Sequence, residues 1–162
     1  MLSGVVYCYQ IEQKGAVSLP LQPFVNRPRF GDVYVVRFDG EGSEQSGIRP
    51  AVVFQNNVGN AHSPNVTVFP MTSRLKKTNM PTHVVVYAAD SGLSMDSMVL
   101  CENPVCISKE KLGKFITTLS EKYMAQIAEA SVLASCGIAY IDPAALTEIW
   151  KRASEMNASV ST

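Results

Sequence analysis

The middle of the chain consists of short runs of apolar and β-branched residues separated by polar turn residues. These runs predict five β-strands, at residues 33–38, 51–55, 66–71, 82–87 and 98–102. Polar loops are predicted at residues 39–47 and 56–65. Pro70 lacks the N–H that a strand ladder needs, so we expect it at a sheet edge or a bulge. Short strands joined by loops in this way favour a small β-barrel.

The apolar spacing becomes helical after residue 119. Ser120 predicts the start of a helix that runs to about residue 135 and ends at Gly137. The apolar face of this helix consists of Met124, Ile127, Ala128 and Val132. Asp142 followed by Pro143 predicts a second helix. Its apolar face consists of Leu146, Ile149, Trp150 and Ala153. Stripes at this spacing are typical of surfaces that face a core.

The first thirty residues differ from the rest of the chain in their pattern of apolar residues and prolines. Residues 4–11 are compatible with one strand, whereas residues 15–28 contain three prolines and suit an extended tether. We therefore predict three parts: an N-terminal arm at residues 1–30, a barrel domain at 31–140, and a C-terminal helix with a frayed tail at 141–162. Fraying is expected from residue 157 onward.

Composition supports a folded protein of ordinary domain size. The 162 residues are 46% hydrophobic and 17% charged, which allows a real core and argues against disorder. The N-terminus has no basic segment ahead of its apolar run, so no secretory signal is expected. No apolar run approaches the roughly 18 residues of a membrane span. We therefore expect a cytoplasmic protein with no membrane partner.

The metal-binding residue types are sparse. Four cysteines, Cys8, Cys101, Cys106 and Cys136, form no C-x-x-C pair, and the chain has only two histidines. A zinc site needs several such ligands at workable spacing, so neither a metal nor another cofactor is expected. The ordinary interpretation of these cysteines is buried free thiols in a reducing compartment.

Charge is distributed unevenly along a chain whose formal net charge is zero. That total argues against a general nucleic-acid coat protein. Residues 45–89, however, contain no acidic residue and gather the cations Arg49, Arg74, Lys76 and Lys77 with both histidines. A basic field of this kind favours binding of a polyanion. The alternative is a solvated loop with basic residues there by chance.

Two short segments in this field carry candidate chemistry. A polar loop delivers Arg49 directly before a proline and an apolar strand, which restrains the backbone that carries a planar, five-donor guanidinium. Thr72, Ser73 and Arg74 follow the third predicted strand and together suit a phosphate. The alternative for Arg49 is a surface ion pair with Glu44 or Asp39.

Histidine is the usual acid or base near neutral pH, so His62 and His83 are rival candidates. His83 enters a predicted strand, where a hydrogen-bonded structural role is favoured. His62 lies in a polar loop, where it could contact RNA, although simple exposure also explains it. We expect neither to be catalytic.

An ordered series of segments resembles the MazF/PemK toxins of bacterial toxin–antitoxin systems, across roughly residues 29–133. The segments are RFGDVY at 29–34, GSEQSGIRP at 42–50, QNNVGNAHSP at 55–64, TSR at 72–74, PTHV at 81–84, DS at 96–97, VL at 99–100, and Lys109 with Leu112. The resemblance implies a mainly β, α+β fold, namely an SH3-like barrel of the MazF/PemK type with short C-terminal helices. It also implies a homodimer with RNA in a groove across its interface, and a cognate antitoxin partner.

The activity implied is metal-independent endoribonuclease cleavage of single-stranded RNA at a short sequence motif, by attack of the 2′-hydroxyl to leave a cyclic phosphate. The catalytic residues implied are Arg49 and Thr72. RNA contacts are expected from eight further residues: Ser43, Gln45, Asn56, Ser73, Arg74, Lys76, Lys77 and Asn103.

The chain departs from the family pattern after the fifth predicted strand, where it reads ENPVC at 102–106 in place of the usual Glu-Gln-Ile-Arg-Thr. A shorter amide at Asn103 and the loss of an arginine put the recognised motif and the turnover in question. Two alternatives to the ribonuclease remain open. One is a non-catalytic binder of RNA or of DNA gyrase on the same fold, and the other is a generic SH3-like interaction module.

Overall fold

The computed structural model describes residues 27–40 and 45–158. Within them, seven antiparallel strands form one bent sheet. The strands are β1 (Asp32–Asp39), β2 (Ser46–Val53), β3 (Asn65–Thr72), β4 (His83–Val86), β5 (Ser97–Leu100), β6 (Val105–Ser108) and β7 (Leu112–Thr118). They are ordered β4-β5-β3-β2-β1-β7, and β6 pairs with β3. The mainly β class predicted from the sequence is confirmed.

All five predicted strands are present, and two further strands were missed. β6 is only four residues long, and β7 (LGKFITT) contains glycine and lysine, so neither has a strong β pattern. Their partners stabilise them instead, because β6 pairs with β3 and β7 pairs with β1. β2 also starts at Ser46, inside the loop predicted at 39–47.

β3 is the strand that bends the sheet. One side pairs with β2, while the other pairs with β6 over Asn65–Val68 and then with β5 from Met71 onward. Pro70 pairs with Ala51 of β2 and falls in the gap between these two partners. Its missing N–H therefore interrupts no ladder on that side. The predicted edge or bulge position was wrong, however, because β3 is an interior strand and its register with β2 is regular.

Four α-helices complete the described fold: α1 (Asn57–His62), α2 (Ala88–Ser91), α3 (Glu121–Ser135) and α4 (Leu146–Ala158). Short 3-10 turns occur at Lys109–Lys111, Gly137–Tyr140 and Pro143–Ala145. The polar loop predicted at 56–65 was wrong in part, since it contains α1. Asn56 begins α1 by accepting the Gly59 N–H at 2.9 Å.

α3 confirms the predicted helix but differs at its end and on its face. Cys136, with φ of 52°, takes the left-handed position that we expected of Gly137. The buried positions are Tyr123, Met124, Ile127 and Ala130. Ala128 is half-buried and Val132 is exposed, so the buried face of α3 differs from the predicted apolar face at these two positions.

Alternate residues of the central strands enter two separate cores. Val52 of β2 and Met71 of β3 pack in a core that α3 covers. Ala51 and Val53 of β2 point the other way, into a core formed by β1, β3 and β6. β2 is therefore held from both faces near the point where it carries Arg49.

The core position predicted for the stripe on α4 was wrong. Trp150 is 72% exposed and Ile149 46% exposed, Ala153 is exposed, and Leu146 is half-buried. α4 packs mainly against α1 and has few contacts with any strand. It also continues to Ala158, into the tail where fraying was predicted.

Several expectations concern thiols, membranes and the termini. Cys101 is buried, but Cys106 and Cys136 are exposed, so buried thiols were predicted correctly for only one of the three described cysteines. No helix among the described residues is long and apolar enough to cross a membrane. The strand predicted at 4–11, most of the proposed arm, Cys8 and residues 159–162 lie outside the described residues.

Candidate active site

Arg49 lies in the middle of β2, two residues from the buried Ala51 on the same face of the strand. Its side chain folds back along its own hairpin. Nη1 donates to Gln45 Oε1 at 3.0 Å, and Nη2 donates to the Ser46 carbonyl oxygen at 2.6 Å. The guanidinium is thus held by two neutral acceptors.

Asp39 does not form the surface ion pair with Arg49 that was the alternative interpretation. That carboxylate pairs with Arg37 at 3.3 Å and with Lys111 at 3.2 Å. Glu44 lies outside the described residues. Within the described part of the chain, Arg49 has no salt bridge.

Thr72 ends β3 on the strand next to Arg49. The β2–β3 ladder ends where Ala51 pairs with Pro70, so Arg49 lies two residues beyond the last pair on β2 and Thr72 lies two residues beyond it on β3. Arg49 and Thr72 therefore lie at the same end of this ladder. Thr72 Oγ1 accepts the Arg74 N–H at 3.1 Å, which leaves the hydroxyl proton available for a ligand.

Arg49 and Thr72 line the same groove, of about 480 Å³, which we call the Arg49 groove. Its lining residues come from β2, from the end of β3, from the segment before β5 and from β7. They are Ile48, Arg49, Pro50, Met71, Thr72, Ser73, Arg74, Leu93, Ser94, Met95, Ser97 and Ile116. Two arginines and no carboxylate are among these residues, so the groove is suited to an anion.

The sequence pattern predicted no role for the residues that form one wall of the Arg49 groove. It consists of Leu93, Ser94, Met95 and Ser97, which follow α2. Tyr123 of α3 anchors α2 through two hydrogen bonds. Its hydroxyl donates to Asp90 Oδ1 at 2.5 Å and accepts the Tyr87 N–H at 3.1 Å. Burial, followed by the bond to Asp90, raises the pKa of Tyr123.

Asp96 anchors the other end of the same wall by accepting the Ala88 N–H at 2.8 Å. The DS pair at 96–97 was among the matching sequence segments, and that match was the one signal that pointed to this wall.

A second groove, of about 530 Å³, lies at the tip of the β1–β2 hairpin; we call it the Asn103 groove. Asn103 and Gln45, two of the predicted RNA contacts, line it together with Arg37, Lys111 and Cys106. Gln45 therefore lines one groove while its side-chain oxygen holds the arginine of the other.

The remaining predicted contacts are divided. Ser73 and Arg74 line the Arg49 groove. Lys76 and Lys77 follow on the exposed β3–β4 connection without lining either groove, and Asn56 is occupied in capping α1. Ser43 lies outside the described residues.

Neither histidine lines the Arg49 groove. His83 lies between the Lys77 carbonyl oxygen at 2.9 Å and Glu102 Oε1 at 3.0 Å, which confirms the structural role predicted for it. His62 is the exposed last residue of α1.

Comparison with known families decides what kind of protein carries this groove. Residues 29–133 match the family model of the PemK-like, MazF-like toxins of type II toxin–antitoxin systems. The chain belongs to this family. The match covers the barrel, both grooves and α3 up to Leu133, whereas α4 lies beyond it.

Individual PemK/MazF proteins are similar over the same region. Endoribonuclease MazF of Staphylococcus saprophyticus is 41% identical over 103 residues, covering 63% of this chain and 86% of that protein. The structure of Mycobacterium tuberculosis toxin MazF-mt6 is 29% identical with a TM-score of 0.54, covering 64% of this chain and 94% of that one.

A mycobacterial endoribonuclease solved with its cognate antitoxin shares the fold at 24% identity and a TM-score of 0.55, covering 66% of this chain and 93% of that chain. These likenesses confirm the predicted PemK/MazF-type barrel.

Proposed function

We propose that this PemK/MazF toxin is an endoribonuclease that cleaves single-stranded RNA at a short sequence motif without a metal ion. The observation that supports it is the placement of Arg49 and Thr72 at the same end of the β2–β3 ladder, in one open groove that no carboxylate of the described residues lines. The family and the endoribonuclease names of its relatives support the same class of reaction.

In the proposed reaction, the substrate supplies its own nucleophile. The ribose 2′-oxygen attacks the adjacent phosphorus and loses its proton, the bond from phosphorus to the 5′-oxygen breaks, and that oxygen takes up a proton. The products are a 2′,3′-cyclic phosphate and a free 5′-hydroxyl. The protein must hold the phosphate in line and stabilise the charge that grows on its oxygens.

Arg49 suits that charge-stabilising role. A guanidinium keeps its positive charge in proteins and carries five N–H donors. Among the described residues, Gln45 and Ser46 engage two of these donors and leave three for phosphate oxygens. Thr72 would donate its hydroxyl proton to the same phosphate, with Ser73 and Arg74 beside it in the groove.

The other contacts are assigned by position. Lys76 and Lys77 would contact backbone phosphates beyond the groove, and Asn103 would contact a base in the second groove, where the ENPVC departure from the family pattern also lies. Ser43 and Asn56 keep their predicted RNA-contact roles as part of this proposal.

The test is incubation of the purified protein in EDTA with an RNA and with DNA of the same sequence. RNA cleavage that leaves cyclic phosphate ends, with intact DNA, is expected because DNA lacks the nucleophile. Arg49→Ala should lower the cleavage rate on the order of 10²–10³-fold or more. The matched control is Arg152→Ala, an exposed arginine on α4, which should cleave normally.

Two results would reject the proposal. One is absence of cleavage of any RNA at protein concentrations that saturate RNA binding, which would favour a non-catalytic binder. The other is full activity in a folded Arg49→Ala variant.

The proposal includes a cytoplasmic homodimer neutralised by a cognate antitoxin. The type II family description and the mycobacterial relative solved with its antitoxin support the antitoxin partner. Sedimentation of the full chain should give a mass of two copies. Co-expression with the antitoxin from the same operon should restore growth that expression of the chain alone arrests.

A further inference from the structure

The hairpin that carries Arg49 also carries the group that orients it. Gln45 precedes β2, and its carbonyl oxygen accepts the Gly40 N–H at 3.0 Å, which ties its backbone to the end of β1. The next pair, Asp39 with Ser46, begins the β1–β2 ladder. The Gln45 side chain therefore projects from a fixed point, four residues before Arg49.

Among the described residues of this hairpin, both partners of Arg49 are neutral oxygens. Gln45 Oε1 accepts from Nη1, and the Ser46 carbonyl oxygen accepts from Nη2. A carboxylate in the same place would bind the guanidinium more tightly but would cancel its charge. An amide oxygen fixes the orientation and leaves the full positive charge for the ligand.

We propose that Gln45 is a positioning residue that acts through Arg49, holding the guanidinium so that its remaining donors face the bound phosphodiester. This inference rests on the ribonuclease function proposed above and deepens it. It differs from a direct RNA contact by Gln45, which would act on substrate binding or on the choice of motif.

The two roles predict different kinetics. A lost orienting bond to a charged group lowers kcat, because the arginine is misplaced in the transition state, while KM changes little. A lost RNA contact raises KM or relaxes the cleavage motif. A purely structural role lowers Tm and leaves kcat per folded molecule unchanged.

The experiment measures kcat and KM of the full chain on a cleavable RNA for Gln45→Ala, Gln45→Glu and a matched control. Gln45→Ala should lower kcat about 10- to 100-fold with KM within about twofold, as expected for one hydrogen bond to a charged group. Gln45→Glu should lower kcat as well, although it can still accept the bond, because its carboxylate neutralises Arg49. Gln126→Ala, an exposed glutamine on α3, should match the unaltered chain.

A double-mutant cycle with Arg49→Lys tests whether Gln45 acts through Arg49. Lysine keeps a charge but lacks the fork that Gln45 and Ser46 hold, so Gln45→Ala should have almost no further effect in the Arg49→Lys background. Multiplicative effects of the two substitutions, or a change confined to KM, would overturn the inference.

The outcome is separable from that of the proposed function. If the unaltered chain cleaves no RNA, the function itself fails. If the unaltered chain cleaves and Gln45→Ala has normal kcat, only the positioning role fails.

Discussion

Burial divides the described cysteines into two chemical classes. Cys101 is 2% exposed, and burial, reinforced by the neighbouring Glu102, raises the pKa of its thiol to about 12. Cys106 and Cys136 are exposed. Because the thiolate is the reactive form, Cys101 is protected both by access and by protonation.

A thiol-labelling experiment checks this division. In a Cys8→Ser background, a thiol reagent should label Cys106 and Cys136 rapidly in the native protein and Cys101 only after denaturation. Mildly alkaline buffer should not make Cys101 reactive, because its thiol stays protonated. Peptide mapping of the labelled sites gives the result, and native labelling of Cys101 would contradict its burial.

Single residues illustrate what the sequence could and could not reveal. The missing N–H of Pro70 predicted an edge or a bulge, whereas Pro70 lies in an interior strand, at a position where β3 pairs on one side only. The role of Gln45 toward Arg49 depends on a side-chain conformation that no pattern encodes. Asn56 was expected to contact RNA, a prediction that no observation tests, while its side-chain oxygen is engaged as a helix cap.

At the scale of elements, the contact between α3 and α2 supports a wall of the Arg49 groove. The buried Tyr123 hydroxyl satisfies both Asp90 and the Tyr87 N–H. Tyr123→Phe removes both bonds and keeps the ring in the core. The free energy of unfolding should fall by about 1–3 kcal/mol, measured by urea denaturation. Equal stability would show that α2 is not anchored in this way.

The exposed face of α4 has an optical test, because Trp150 is the only tryptophan in the chain. Its emission should be typical of a solvent-exposed indole and should be quenched efficiently by acrylamide. The free amino acid in the same buffer is the reference. A blue-shifted, protected emission would mean that something covers this face and that the core position first predicted is correct.

The wrong placement of α4 and the missed strand β7 both arise because tertiary contacts are not encoded in the local sequence pattern. Helical periodicity reports that a face is apolar but not which surface covers it, so α4 was placed in the core although it contacts mainly α1. β7 had the opposite problem, since pairing with β1 overrides its weak pattern. Gly113 was the available signal, because a β-carbon there would come within 2.9 Å of the Val35 carbonyl oxygen.

At the scale of the whole molecule, the family and the barrel were predictable because an ordered series of segments survives in the sequence. The meeting of Arg49 and Thr72 in one groove was not, since it depends on the pairing of β2 with β3. The division into an arm at 1–30, a barrel at 31–140 and a C-terminal helix at 141–162 stays a prediction.

A neutral chain with a local basic field should bind RNA through few phosphates. If Arg49, Arg74, Lys76 and Lys77 each neutralise one phosphate, the logarithm of affinity should fall against the logarithm of salt concentration with a slope of about −3. Binding is measured with 2′-O-methylated RNA, which lacks the nucleophile.

Replacing both Lys76 and Lys77 with Ala should halve that slope. The matched control is Lys151→Ala with Arg152→Ala on α4, for which the slope should stay unchanged. An unaltered slope in the Lys76 and Lys77 variant would remove those two residues from the interface.

The pairing of β1 with β7 also sets when the protein can act. Thr118 Oγ1 donates to Asp32 Oδ1 at 2.7 Å across 86 positions of sequence, and β7 supplies Ile116 to the Arg49 groove. A nascent chain that has not yet emerged from the ribosome as far as β7 leaves one side of β1 bare and the groove short of a wall. The Arg49 groove is thus complete only after β7 has left the ribosome.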